Sequence, residues 1–125
     1  MKVLVVDDFL GTAKVIKFMF EKSGLNTDIA LNAKDAIELI NHNKYDYVLL
    51  DIIINGDREN GFYIYSYLKG NNFLGNVIFI TGCDEKSDFA LQAQEFAPVV
   101  FKEFSIKKLA EDIKKGIYAK EKISL

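Results

Sequence analysis

Short apolar runs alternate with longer segments of helical periodicity along this chain. Val3–Val6, Tyr47–Leu50 and Val77–Ile80 are the clearest runs, and each is apolar without a break. Strands that are buried on both faces have this pattern, whereas strands with one solvated face alternate apolar and polar residues. The alternation therefore predicts βαβ units and a parallel sheet with helices on both faces.

Five βα units account for the whole chain. Strands are predicted at Lys2–Val6, Asn26–Ala30, Tyr45–Leu50, Asn76–Ile80 and Pro98–Phe101; helices at 10–23, from Ala33 after an Asn32 cap, at 61–69, at 85–95, and along the apolar stripe Ile106, Leu109, Ile113, Ile117. The third strand is the most apolar and is expected at the sheet centre, and the more polar second strand at an edge. On the fourth helix, the spacing of Phe89, Ala93 and Phe96 predicts core positions. The expected fold class is α/β, a doubly wound five-stranded parallel sheet in three layers, as one domain over residues 1–125.

Composition excludes several classes of protein. The net charge of −2 gives no global field for nucleic acid, and Arg58 is the only arginine among sixteen basic residues. One cysteine, Cys83, excludes an intrachain disulfide and fits a reducing compartment. Nothing approaches the roughly 20 apolar residues of a membrane span or the core of a signal peptide. We therefore expect a cytoplasmic protein that neither spans a membrane nor binds nucleic acid directly.

Polar residues stand at the carboxyl ends of four of the predicted strands. They are Asp7, Asp8, Asp51, Thr81 and Lys102. Because the carboxyl ends of parallel strands meet at one edge of a sheet, these side chains should converge where open α/β sheets bind their ligands.

Three carboxylates at one edge need a compensating charge. Two like charges about 4 Å apart repel by roughly 4 kcal/mol at a protein-like dielectric. Lys102 offers one positive charge, and a divalent cation would supply two more. With oxygen ligands and no second Cys or His nearby, the site suits Mg²⁺ (or Mn²⁺) and does not suit Zn²⁺.

A cation, an ammonium and a hydroxyl around a carboxylate form a receptacle for a phosphoryl group. Aspartate can accept that group as an aspartyl phosphate. Asp51 is the predicted acceptor because it stands alone on the central strand, while Asp7 and Asp8 would hold the metal. Thr81 and Lys102 would stabilise the phosphoryl oxygens.

The same residues, each at a successive strand end and in this order, resemble the receiver domain of two-component response regulators. The resemblance covers essentially the whole chain and implies the flavodoxin-like (βα)₅ fold. It implies phosphotransfer to Asp51 from a histidine kinase or a histidine phosphotransfer protein. It also implies Mg²⁺ held by Asp8, Asp51 and the backbone carbonyl of Ile53, with Asp7 acting mostly through water.

The loop after the acceptor departs from the family pattern. The family usually has a Met-Pro pair there and an earlier glycine, whereas this chain has no proline in that loop and its Gly61 comes about two positions late. We infer a two-residue insertion. The family also follows its lysine with a cis proline, and here Glu103 follows Lys102. A cis bond before a residue other than proline costs about 3 kcal/mol; we predict one if Lys102 takes the family position.

Three further positions bear on how the phosphate is lost and reported. The aromatic switch residue of the family falls on Val99, and Phe101 lies on the same face one pleat further along. The positions two residues after Asp51 and two after Thr81 are Ile53 and Cys83. Neither orients an attacking water well, which predicts slow autodephosphorylation.

The favoured interpretation is a stand-alone receiver that is not a metabolic enzyme. Without an output domain it would bind another protein through the face of the fourth helix, fifth strand and fifth helix, or pass the phosphate onward. The alternative is a pseudo-receiver that serves as a docking or dimerisation module independently of phosphorylation, which Val99 and Glu103 favour. A small aspartyl phosphohydrolase is a weaker alternative, since its general acid would occupy the position of Ile53.

Overall fold

The order of the elements follows the predicted alternation of strands and helices. The computed structural model describes residues 1–54, 60–82, 86–101 and 105–119. In chain order its elements are β1 Lys2–Val6, α1 Leu10–Lys22, β2 Asn26–Ala30, α2 Ala33–His42, β3 Tyr47–Asp51, α3 Asn60–Gly70, β4 Asn76–Thr81, α4 Asp88–Gln94, β5 Val99–Phe101 and α5 Ile106–Lys114.

The five strands form one parallel sheet in the order β2-β1-β3-β4-β5. This confirms the doubly wound α/β class, with β3 at the centre and β2 at an edge. Every residue of β3 is buried, because the central strand has a neighbour on each side and helices on each face.

Side chains that alternate along the strands divide the core into two layers. Leu4, Val48, Leu50 and Phe79 pack with residues of α2, α3 and α4 on one face. Val3, Val5, Leu49 and Ile78 pack with residues of α1 and α5 on the other face. This alternation fixes the direction of every side chain near the strand ends, where the predicted site lies.

The bounds of β3, β4 and β5 differ from their prediction, and β4 extends one residue further, to Thr81. The central strand begins at Tyr47 rather than Tyr45 and extends to Asp51, which pairs with Ile80 of β4. The hydroxyl of Tyr45 instead donates to Asp28 Oδ2 at 2.7 Å, at the amino end of the sheet. The last strand begins one residue after Pro98, whose carbonyl accepts a hydrogen bond from the backbone N–H of Phe79.

Helix boundaries differ as well, by one residue in α1 and α3 and by more in α4 and α5. Helix α4 begins at Asp88 because the Ser87 side chain caps it by accepting from the backbone N–H of Ala90; the predicted start at 85 lies outside the described residues. Helix α5 ends at Lys114, and Gly116 follows with a φ of +79°. The prediction that Ile117 continues the buried stripe is therefore wrong, and this side chain is 60% exposed.

Candidate acidic site at the carboxyl ends of the strands

Three carboxylates meet where β1 and β3 end. Val6 pairs with Leu50, so Asp7 and Asp51 follow neighbouring positions of adjacent strands. One carboxylate oxygen from each of Asp7, Asp8 and Asp51 lies within 4.8 Å of the others. The predicted convergence of the three acidic residues is confirmed.

Burial distinguishes the three acids. Asp7 is fully buried and Asp51 is 5% exposed, whereas Asp8 is exposed. Their positions in the chain explain the difference, because Asp7 continues the buried strand β1 and Asp8 is the first residue of the turn toward α1. The group therefore has two acids fixed in the protein and one open to solvent.

Backbone N–H groups hold the two buried carboxylates in place. The N–H of Phe9 donates to Asp7 Oδ1 at 2.9 Å, and the N–H of Ile53 donates to Asp51 Oδ1 at 3.2 Å. Both bonds span two residues, an Asx-turn arrangement that orients the carboxylate locally. The chain that immediately follows Asp51 thus contributes to the orientation of its carboxylate.

The donor set fits a hard divalent cation. Carboxylate oxygens at this spacing are the ligands that Mg²⁺ and Mn²⁺ prefer, and bringing three negative charges together is unfavourable without a cation. Asp7, Asp8 and Asp51 could therefore hold a metal. The role of the Ile53 carbonyl as a further ligand stays a prediction.

Thr81 is brought to the same edge by β4. It is the last residue of that strand and 1% exposed, and it follows Ile80, the partner of Asp51 in the sheet. Phe101 of β5 pairs with Thr81 in turn. Lys102, the next residue, lies outside the described residues, as do Glu103, Cys83 and the peptide bond predicted to be cis.

Gly61 is a positioning residue that sequence reasoning used only as a marker of the loop insertion. A Cβ at this position would lie 2.4 Å from the carbonyl oxygen of Asp51 and 2.8 Å from the Cα of Ile52. Only glycine permits this approach of α3 to the backbone of the predicted acceptor. Residues 55–59 lie outside the described residues, so the two-residue insertion stays a prediction. The sequence signal for this close contact is a glycine at the start of a helix, a few residues after the strand that ends in Asp51.

A family model described as the response regulator receiver domain matches residues 3–114. The chain belongs to this family. Receiver domains act in phosphorylation-based signalling, so the acidic site lies in a fold whose general function is established. Among the described residues, we find no helix with the length and apolar character needed to cross a membrane.

Individual relatives agree with this assignment. A curated relative, the sensory transduction protein LytT of Bacillus anthracis, is 34% identical over 129 residues, an alignment that covers 99% of this chain. This chain spans about half of the length of that relative, 49%.

Solved receiver domains share the fold. The receiver domain of a Francisella response regulator is 30% identical with a TM-score of 0.78, covering 91% of this chain and 93% of that one. The response regulator TrrA from Thermotoga maritima, solved in complex with Mg²⁺-BeF, is 27% identical with a TM-score of 0.76, covering 91% and 96%. The fold predicted from the sequence is thereby confirmed.

Proposed function

We propose that this receiver domain accepts a phosphoryl group on Asp51 from a phosphohistidine donor, in a reaction that depends on Mg²⁺. The proposal is carried by one observation: carboxylate oxygens of Asp7, Asp8 and Asp51 lie within 4.8 Å of one another at the carboxyl ends of β1 and β3. The donor would be a histidine kinase or a histidine phosphotransfer protein, as membership of the family implies.

Asp51 acts as the nucleophile. Its carboxylate oxygen forms a bond to phosphorus while the bond between phosphorus and the donor imidazole breaks, and the imidazole nitrogen keeps the electron pair and takes up a proton. The Ile53 N–H on Oδ1 fixes the plane of the attacking carboxylate. Burial of Asp51 keeps bulk water from most of this group.

Asp7 and Asp8, with Asp51 and the carbonyl of Ile53, would hold the cation. The bound ion would offset the negative charge of the phosphoryl oxygens during transfer. The hydroxyl of Thr81, the last residue of the adjacent strand β4, would donate to one of those oxygens. Lys102 follows the Thr81 partner Phe101 in sequence, and we assign its ammonium to a second phosphoryl oxygen.

The domain signals rather than turning over a metabolite. Phosphorylation adds about one negative charge at the strand edge, which is enough to bias a conformational equilibrium by about 1 kcal/mol. The biased state would bind a downstream protein through the face of α4, β5 and α5, or pass the phosphate on. The solved complex of TrrA with Mg²⁺-BeF supports using that ligand as a mimic of the phosphorylated state here.

The decisive experiment is chemical labelling. The protein is incubated with Mg²⁺ and a small phosphodonor, and its mass is followed. We expect a mass increase of one phosphoryl group that is stable in acid, is removed by hydroxylamine and is lost in Asp51→Asn and without Mg²⁺. A protein that folds but takes no label would be a pseudo-receiver that acts by docking or dimerisation. Rapid turnover of the donor with release of phosphate would indicate a phosphohydrolase instead.

A further inference from the structure

Four aromatic rings form a contiguous cluster between α3, β4 and the end of α4. We call Phe62, Tyr65, Phe79 and Phe96 the ring cluster. Its centroids are separated by 5.6 Å for Phe62–Phe79, 6.0 Å for Phe62–Phe96, 5.6 Å for Tyr65–Phe79 and 5.3 Å for Tyr65–Phe96. These separations lie in the range of favourable aromatic pairs.

The inner end of the ring cluster touches the acidic site through the backbone. Phe62 directly follows Gly61, whose Cα approaches the Asp51 carbonyl so closely that a Cβ would lie 2.4 Å from it. Phe79 is fully buried and lies two residues before Thr81 on the same face of β4. The ring cluster thus connects to the site in two places. Phe62 is the neighbour of Gly61, which contacts the backbone of the proposed acceptor, and Phe79 lies two residues before Thr81, whose hydroxyl is proposed to bind the phosphoryl group.

The outer end of the ring cluster reaches the surface. Phe96 lies two residues after the last residue of α4 and is 43% exposed, although its spacing from Phe89 and Ala93 predicts a core position. The Tyr65 ring stacks on it at an interplanar angle of 26°, and the Tyr65 hydroxyl donates to the Phe96 carbonyl at 3.1 Å. Tyr65 and Phe96 also line a cavity of about 260 Å³, so movement of these rings would change its shape.

We propose that the ring cluster carries the phosphorylation state of Asp51 to the surface at the end of α4. It does so in a chain that has Val99 where the family pattern places an aromatic ring. This inference rests on the proposed function of Asp51 and concerns how that site is reported.

The physical basis is the stiffness of the packed rings. Displacement of the Asp51 backbone shifts the start of α3, because Gly61 leaves no space between them. Phe62 and Tyr65 move with the helix, and Phe96 contacts both rings. Packed interiors transmit such shifts as changes between discrete arrangements. If the packing of a ring differs between the phosphorylated and unphosphorylated states, replacing that ring changes the equilibrium between them. By linkage, the replacement then also changes the affinity of the site for a ligand that binds one state better.

The test uses Phe96→Leu and Tyr65→Phe, with Tyr63→Leu as a matched control. Tyr63 lies on the same helix and is 57% exposed. Mg²⁺ and beryllofluoride are titrated into each protein by calorimetry. We expect the affinity of Phe96→Leu to change by about 3- to 10-fold, the range that an aromatic pair supports. Tyr65→Phe, which keeps the ring and loses only the hydroxyl, should change less, and Tyr63→Leu should bind as the wild type does.

A change of that size at Phe96 in either direction supports the proposal, because the affinity reports a difference in ring packing between the two states. Wild-type affinity in Phe96→Leu, or an equal change in Tyr63→Leu, would overturn the coupling and leave the proposed function standing. A wild-type protein that does not bind beryllofluoride with Mg²⁺ would overturn the proposed function and the coupling together.

Discussion

Replacing Gly61 by alanine perturbs the contact between α3 and the proposed acceptor by a single methyl group. That methyl would lie 2.4 Å from the Asp51 carbonyl oxygen, 2.8 Å from the Ile52 Cα and 2.9 Å from the Ile52 carbonyl oxygen. All three atoms belong to the backbone, so no side chain can rotate away. Restoring ordinary contact, which begins at 3.4 Å, requires α3 and the end of β3 to separate by about 1 Å.

The expected cost follows from two opposing effects. Forcing an extra methyl into a packed region costs about 1–3 kcal/mol. Alanine regains up to about 1 kcal/mol over glycine in a helix interior, and less at the second residue of α3. The free energy of unfolding should therefore fall by about 1–2 kcal/mol, which corresponds to about 1 M in the urea midpoint for a domain of this size. Labelling of Asp51 by a phosphodonor should also slow, because the acceptor backbone is displaced.

Gly70 supplies the matched control at the other end of the same helix. Nothing lies within 4 Å of a Cβ at this position, so Gly70→Ala keeps the propensity gain without the clash. We expect its urea midpoint to equal or exceed that of the wild type. A Gly61→Ala protein as stable as Gly70→Ala, and labelled at the wild-type rate, would show that the close approach of α3 to Asp51 is absent and would refute this account of the site.

Three further predictions concern Asp8, Tyr45 and the lifetime of the phosphorylated site. Asp8→Asn should raise the free energy of unfolding without Mg²⁺ by up to about 1 kcal/mol, because it removes repulsion among the three carboxylates. It should also reduce the stabilisation that Mg²⁺ gives, and unchanged urea midpoints in both conditions would contradict this. Burial and the hydrogen bond to Asp28 raise the pKa of Tyr45, so the contribution of Tyr45 to stability is complete below a pH of about 10 and is lost as the pH rises further. In denaturation curves, Tyr45→Phe should lose less stability than the wild type above this pH, and an equal loss in the two proteins would count against the prediction. Because Ile53 and Cys83 are poorly suited to orient water, the isolated phosphorylated domain should lose its label over minutes or longer, and a half-life of seconds in mass spectrometry would rule the idea out.

Most of the site could be predicted because burial on both faces leaves a strong sequence pattern. The unbroken apolar run before Asp51 marks the central strand, and the acid that ends it must lie at the sheet edge. The same reasoning placed Asp7 and Thr81, which end the neighbouring runs. Parallel register then brings the strand ends together without any long-range information.

The errors arose where a periodic pattern continued past the end of its helix. Ile117 keeps the apolar spacing of α5, and Phe96 keeps that of Phe89 and Ala93, yet α5 ends at Lys114 and α4 at Gln94. Gly116, with its positive φ, was the available sign for α5. No comparable breaker stands before Phe96. Its ring stacks on Tyr65, and a contact between residues 31 positions apart leaves no signal in the local sequence pattern.

The proposed acceptor site and the proposed coupling of that site to the surface therefore depend on different features of this sequence. Local order along each strand assembles the acids, so changes elsewhere in the sequence can leave the acceptor intact. The proposed connection to the surface depends on contacts between separate elements, from the backbone contact of Gly61 with Asp51 to the ring contacts of Phe96. With Val99 in place of an aromatic residue, the proposed reporting of phosphorylation would depend on the rings that link α3 with the end of α4. Loss of Phe96 should accordingly alter ligand affinity and partner binding while leaving Asp51 able to accept phosphate.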